Sequence, residues 1–361
     1  MGRLPRLLVL IGSGETAAQM TRGHRQIAHR LAGEGRRPSD VRATVIDTPY
    51  GFQSNADALT AGLVDFFGRR VGMATTVASL RRSEDELTAA TAFAHIRQAD
   101  FVFAGPGSPS YALRQWEGTP MSALFAEKLR EGGALVLASA AALTVGRLTV
   151  PVYEIYKAGA DPHWLPGLDV LSTIGINAAV IPHFDNGEGG DHDTRFCFLG
   201  EERLRTLEEQ MSDDVFILGI DEHTALIVDL DADVALLAGR GSVTTRRQGQ
   251  SKTFATGEEI PLYKLRSADL RSALAPAAEP LNGTSSAAER LVAVEQELLE
   301  LGGRANLVEP LIQAILDIRR TARASGDFAT ADAIRNRLLV LGIEIADAAD
   351  GTTEFRLPDS A

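Results

Sequence analysis

Several stretches of the chain place reactive side chains directly after short apolar runs, where a strand would deliver them to the edge of a sheet. In ALVLASAAALTVG an apolar run leads straight into Ser139 and then into small residues suited to a helix. A serine on such a strand-to-helix turn presents its hydroxyl above the sheet. The amide of the next residue, Ala140, is then placed to meet a developing oxyanion. The same serine would equally serve as an ordinary helix N-cap, so both readings stand. Leu137 and Ala141 occupy the positions where the usual elbow carries glycines.

In AGPGSPSYAL, Gly105 and Gly107 bracket a proline after another apolar run. Backbone amides near Gly107 and Ser108 could face the crevice that holds Ser139, or the segment could be a plain Pro-Gly turn before a helix. The stretch IPHFDNGEGGDHDTRF gathers His183, Asp185, Asp191, His192, Asp193 and Arg195 within thirteen residues. His183 is the first polar side chain after a strand, where a general base for Ser139 would sit, or a packed histidine. Two His and three Asp could also ligate zinc or manganese, although the spacing matches no metal pattern. In PVYEIYKAG, Glu154 is either an orienter for the imidazole or a solvated helix carboxylate. In GIDEHTALIVD, Glu222 lies in a turn between two apolar strands, placed to reach a substrate amine or to hold loops together.

The elements that must position these residues follow from the apolar pattern. Candidate strands are Leu7–Ile11, Val41–Ile46, Val71–Val77, Asp100–Ala104, Ala134–Ala138 and Ala178–Ile181. Helical patterns lie over Ala17–Leu31, Ala56–Phe67, Glu84–Arg97 and Met121–Glu131. Apolar strands alternating with helices predict a doubly wound, mostly parallel α/β sheet covered on both faces, with ligands beyond the carboxyl ends of its strands. From Asp214 the runs Val215–Ile220, Thr224–Val228, Val234–Leu237 and Gly241–Thr245 are short and close together, which predicts hairpins or an antiparallel edge. Residues 1–266 are expected to form this domain. The Ala-, Ser- and Pro-rich 267–288 would be a linker, and 289–361 a small, mainly helical module with helices at Arg290–Leu301, Pro310–Ser325 and Phe328–Leu341.

The chain has 361 residues, enough for about two domains. It carries 36 Lys and Arg against 48 Asp and Glu, a net charge of −12. That balance argues against general binding to phosphate backbones or anionic membranes. Cys197 is the single cysteine, which excludes an intrachain disulfide and a multi-cysteine zinc site. No apolar run reaches the roughly 18 residues that span a bilayer. The opening MGRLPRLLVLIGSGET reads as a buried first strand rather than a signal peptide, so a soluble, cytoplasmic protein is expected.

Taken in order, IGSGET, IDTP, FAGPGSPSYAL, SAAAL, the His183-Phe184 pair followed by Arg195 and by Arg203-Leu204, and GIDEHTAL resemble the dipeptidase E and cyanophycinase family of serine peptidases. The resemblance covers roughly residues 5–245. It implies a class I glutamine amidotransferase-like α/β fold in which a serine replaces the amidotransferase cysteine. It also implies Ser139 as nucleophile, His183 as its base, Glu154 as the acid that orients His183, and the amides of Gly107 and Ala140 as oxyanion hole. The family cuts peptide or isopeptide bonds next to aspartyl residues without a cofactor, so Arg195 is the candidate for a substrate carboxylate. Ser108, Asp185, His192 and Glu222 are further candidates for substrate contact. The family's S-A-G-A reads Ser139-Ala140-Ala141-Ala142 here, and DNGEGGDHD is inserted between His183 and Arg195.

The tail IRRTARASGDFATADAIRNRLLVLGIEIADAADGTTEF resembles the small C-terminal module of cysteinyl-tRNA synthetases, which contributes there to tRNA recognition. Residues 285–361 hold eight Arg, no Lys and thirteen Asp or Glu, a net −5. That sign opposes phosphate binding, so a docking or dimerisation unit and a homodimer are expected, with tRNA binding through residues 289–361 as the alternative. The leading expectation is a serine hydrolase acting on a small peptide or isopeptide. A non-catalytic binding protein on the same scaffold and a metal-dependent hydrolase are the alternatives.

Overall fold

The structure is a computed structural model. It describes residues 3–82, 86–266, 316, 319, 320, 331, 334, 335, 344–347 and 353–356. The chain divides into two compact units, Met1–Pro276 and Ala277–Ala361. The expected linker, 267–288, lies outside the described residues, as does the expected helix over 290–301.

Five apolar runs become parallel strands: β1 (Arg6–Ile11), β2 (Arg42–Ile46), β3 (Ala74–Ala78), β4 (Phe101–Ala104) and β5 (Gly133–Ala138). All of β4 and β5 is buried, as a strand covered on both faces requires. Alternate residues serve opposite cores. Leu7, Val9 and Ile11 join one cluster, whereas Leu8 and Leu10 join the other. Helix α1 (Ala18–Ala32) lays Met20, His24, Ile27, Ala28 and Leu31 on the first core at helical spacing. Helix α2 (Ala56–Asp65) covers the same side and runs on into a π-turn over Phe66–Val71. That turn delays β3, which starts at Ala74 after the left-handed Gly72 rather than at Val71. Helices α3 (Glu86–Gln98), α4 (Pro109–Trp116) and α5 (Met121–Glu131) serve the opposite core.

The rest of the unit departs from the expected single sheet. After β5 come α6 (Ala140–Leu143), the two-residue pair β6 (Leu148–Thr149) and β7 (Leu165–Pro166) flanking α7 (Val152–Tyr156), then β8 (Ala178–Ile181) and α8 (Gly200–Glu209). The remaining strands are β9 (Phe216–Ile220), β10 (Thr224–Asp229), β11 (Val234–Gly239), β12 (Ser242–Arg247), β13 (Gln250–Ala255) and β14 (Glu259–Pro261). Strands β10, β11 and β14 extend the main sheet antiparallel, giving the order β14-β11-β10-β1-β5-β4-β2-β3. Strand β8 leaves that sheet and pairs in parallel with β9 in a second sheet, β13-β12-β9-β8. The pleat explains the split. Val180, Leu218 and Ile220 pack into the core that holds Leu8 and Leu10, whereas Ile181 and Ile217 face a third core with Leu204 and Leu207 of α8.

The chain passes from the second sheet to the first in three residues, Asp221–His223. Gly12, just past β1, makes room for that crossing: a Cβ there would lie 2.0 Å from the Asp221 carbonyl oxygen. In the second unit, Leu316, Ala331 and Ile334 are helical and buried, and β15 (Glu344–Asp347) pairs antiparallel with β16 (Thr353–Arg356). Among the described residues no helix is long and apolar enough to cross a membrane.

Two outcomes follow from this packing. Gly12→Ala is expected to cost about 1–3 kcal/mol in chemical denaturation, because backbone must move to admit the methyl group; an unchanged midpoint would contradict the close approach. His24 is buried among the rings of Phe66, Phe67, Phe101 and Phe103, and burial pulls its imidazole down to about 4, against a bond to the Glu15 carbonyl. A depressed folded pKa means stability is whole above about 6.5 and is lost as pH falls toward about 4, by about 3 kcal/mol in the limit. His24→Leu should flatten the stability profile in that window relative to wild type.

Candidate active site

Strand β5 delivers Ser139 to a sharp turn with φ 50° and ψ −117°, a conformation that costs a non-glycine residue of order 1–3 kcal/mol. The turn is fixed on both sides. The Ser139 amide donates to the Ile11 carbonyl at 3.0 Å, and the Ala141 amide donates to Gly105 at 3.2 Å. The serine side chain makes no cap hydrogen bond to α6. Its Oγ lies 2.9 Å from His183 Nε2 instead.

His183 follows β8 in the left-handed region, at φ 48°. Its Nδ1 is 2.8 Å from Glu222 Oε1. Asn186 Nδ2 donates to the same oxygen at 3.2 Å, and Asp185 Oδ1 accepts the Glu222 amide at 2.7 Å. Burial pushes the Glu222 carboxyl up, but the bonds from His183 and Asn186 and the nearby imidazoles outweigh it and hold the group below its ordinary range. An ionised Glu222 assigns the Nδ1 proton to His183, which leaves Nε2 free to accept from the serine hydroxyl.

Glu154, expected as the orienter, makes no hydrogen bond to His183. It sits on α7 and accepts from the Ser110 hydroxyl of α4. Strand pairing explains the exchange. Strands β8 and β9 are parallel neighbours, with Ile181 opposite Gly219, so the residues just past their carboxyl ends meet. Those residues are His183 and Glu222. The turn holding Glu222 was legible, but the β8–β9 pairing that gives it this partner was not.

The other candidates take the following places. Gly107 has φ 145°, and a Cβ there would lie 2.0 Å from the Pro49 carbonyl oxygen. Ala141's bond to Gly105 brings this loop against the turn of Ser139. Among the described residues no acceptor is recorded for the amides of Gly107 and Ala140. Ser108 caps α4, accepting from the Tyr111 amide at 3.1 Å. Asp185 holds the Glu222 backbone, His192 stacks on Tyr156 at 6.3 Å, and Arg195 makes a two-pronged pair with Asp193. Among the described residues no three His, Cys, Asp or Glu side chains converge as a metal-ligand set.

No protein-family model matches the chain. A solved peptidase from an acI-B1 actinobacterium shares the fold with a TM-score of 0.58 and 20% identity, covering 72% of this chain and 98% of that one. Cysteine–tRNA ligase of Acidovorax sp. (strain JS42) is 36% identical over 132 residues, which is 36% of this chain and 28% of that protein. The ligase of Haemophilus influenzae (strain 86-028NP) is 28% identical over 130 residues, 34% of this chain and 28% of its own length. The chain thus spans little more than a quarter of these relatives. It combines a peptidase-like α/β fold with a stretch similar to part of cysteine–tRNA ligases.

The geometry predicts a strongly downfield imidazole N–H resonance from the His183–Glu222 bond in proton NMR. Glu222→Ala should abolish it and Glu154→Ala should leave it. Loss in the Glu154 variant alone would reverse the assignment.

Proposed function

We propose that the chain is a serine-type peptidase or isopeptidase in which Ser139, His183 and Glu222 act as one relay. The observation that carries this reading is the unbroken line from Ser139 Oγ through the His183 imidazole to Glu222 Oε1, built on a strained turn. His183 Nε2 takes the Ser139 proton as the oxygen attacks the scissile carbonyl, and Glu222 stabilises the imidazolium that forms. The amides of Gly107 and Ala140 receive the oxyanion, each donor contributing about 3 kcal/mol in comparable sites. His183 then passes the proton to the leaving amine. Water, deprotonated by the same imidazole, hydrolyses the acyl-serine. None of these steps calls for a cofactor.

Cleavage next to aspartyl residues is the finer part of the proposal and rests on the family resemblance of the loops. Arg195 would have to exchange Asp193 for a substrate carboxylate to serve it. The acidic tail is proposed as a docking unit, since its net charge opposes a grip on tRNA.

The test is hydrolysis of α- and β-aspartyl dipeptides followed by mass spectrometry. Ser139→Ala should abolish turnover. Glu222→Gln should lower it by about 10²–10⁴-fold, and Glu154→Gln by less than about tenfold. Cleavage undiminished in Ser139→Ala would sink the assignment.

A further inference from the structure

The segment that packs against the His183 backbone has an unusual shape. Phe196, Cys197 and Phe198 are consecutive residues with φ of 60°, 56° and 68°. Left-handed backbone is tolerated at single residues and disfavoured in runs, so such a run persists only where its surroundings impose it. Here two side chains are locked inward. Phe196 is buried on Phe184 with ring centroids 4.6 Å apart and with the Arg246 guanidinium over it, and Cys197 is buried while its amide donates to the His183 carbonyl at 3.0 Å.

The third residue, Phe198, is half-buried and packs at the edge of the third core. Its ring centroid lies 6.5 Å from that of His183. Tyr156 stacks on Phe198 at 5.1 Å and 29°, and His192 of the inserted loop stacks on Tyr156 at 6.3 Å and 19°. Tyr153, one helical turn before Tyr156 on α7, leaves 44% of its surface exposed. An aromatic wall therefore begins at the imidazole and runs outward.

The chemistry fixes which part of a substrate meets that wall. In the proposed mechanism His183 Nε2 must reach the departing nitrogen, whereas the oxyanion turns toward the amides of Gly107 and Ala140. The part of the substrate nearest the imidazole is then the residue on the amine side of the scissile bond, and Phe198 is the ring beside that imidazole. We infer that Phe198 and Tyr156 form a subsite for a large apolar or aromatic residue on the leaving side of the bond, an inference that rests on the peptidase reading above. Stacked rings favour planar side chains through offset and edge contacts beyond simple burial.

The test compares peptides that share an aspartyl acyl residue and carry Phe, Leu or Ala on the leaving side, with kcat and KM measured separately. Wild type should favour Phe over Ala by about tenfold, chiefly through KM, the size expected of an apolar subsite. Phe198→Ala should bring that ratio close to one. Phe198→Leu, which keeps most of the bulk should the alanine variant fail to fold, should give an intermediate ratio. Equal use of Phe and Ala by wild type, or a preference unchanged in both variants, overturns the subsite. Cleavage of none of the peptides by wild type overturns the peptidase reading itself, and the subsite with it.

Discussion

The candidate site depends on a backbone contact too close for any side chain. The carboxyl end of β1 and the turn after β9 meet where Gly12 faces the Asp221 carbonyl, and the Gly12 amide donates to Thr224 at 2.9 Å. This contact ties two sheets together at their functional ends. On the β1 side, Ile11 accepts the Ser139 amide and sets the height of the serine. On the other side, the next residue after Asp221 is Glu222, which faces His183 across the β8–β9 pair. The distance between nucleophile and base is therefore fixed by the packing of one sheet against the other. Neither loop sets it alone.

Electrostatics then decides what the arrangement can do. A half-buried carboxylate costs desolvation unless hydrogen bonds replace water. Glu222 has His183 and Asn186, and the balance leaves it ionised. Glu15, on the loop after β1, shows the opposite balance: burial outweighs its own backbone bond and the attraction of His183 and His223, and lifts its carboxyl above the ordinary range. Two acidic groups near one imidazole are thus held at different affinities for a proton, so one of them can act as its anionic partner.

Much of this was legible in the sequence for a physical reason. Continuous apolar runs announce strands covered on both faces, and the residues after such runs are those a parallel sheet presents at its ligand-binding edge. Ser139 and His183, 2.9 Å apart in the structure, both follow such runs, and so does the turn of Glu222. What failed was any inference that needed to know which strands are neighbours. The family resemblance pointed to Glu154, but α7 gives that carboxylate to Ser110 of α4. Ala178–Ile181 reads like one more strand of the main sheet, and only its pairing with β9 shows that it belongs to the second. Arg195 reads as a free cation until Asp193, two residues earlier, closes on it. The left-handed run at Phe196–Phe198 has no glycine to announce it.

The most direct measurement of the central claim needs no knowledge of the substrate. The protein and its Ser139→Ala variant are treated with a fluorophosphonate, intact masses are recorded and any adduct is mapped. The relay predicts one adduct, on Ser139, that is missing from the variant. A protein that takes up no fluorophosphonate, or a variant labelled as fully as wild type, would contradict it.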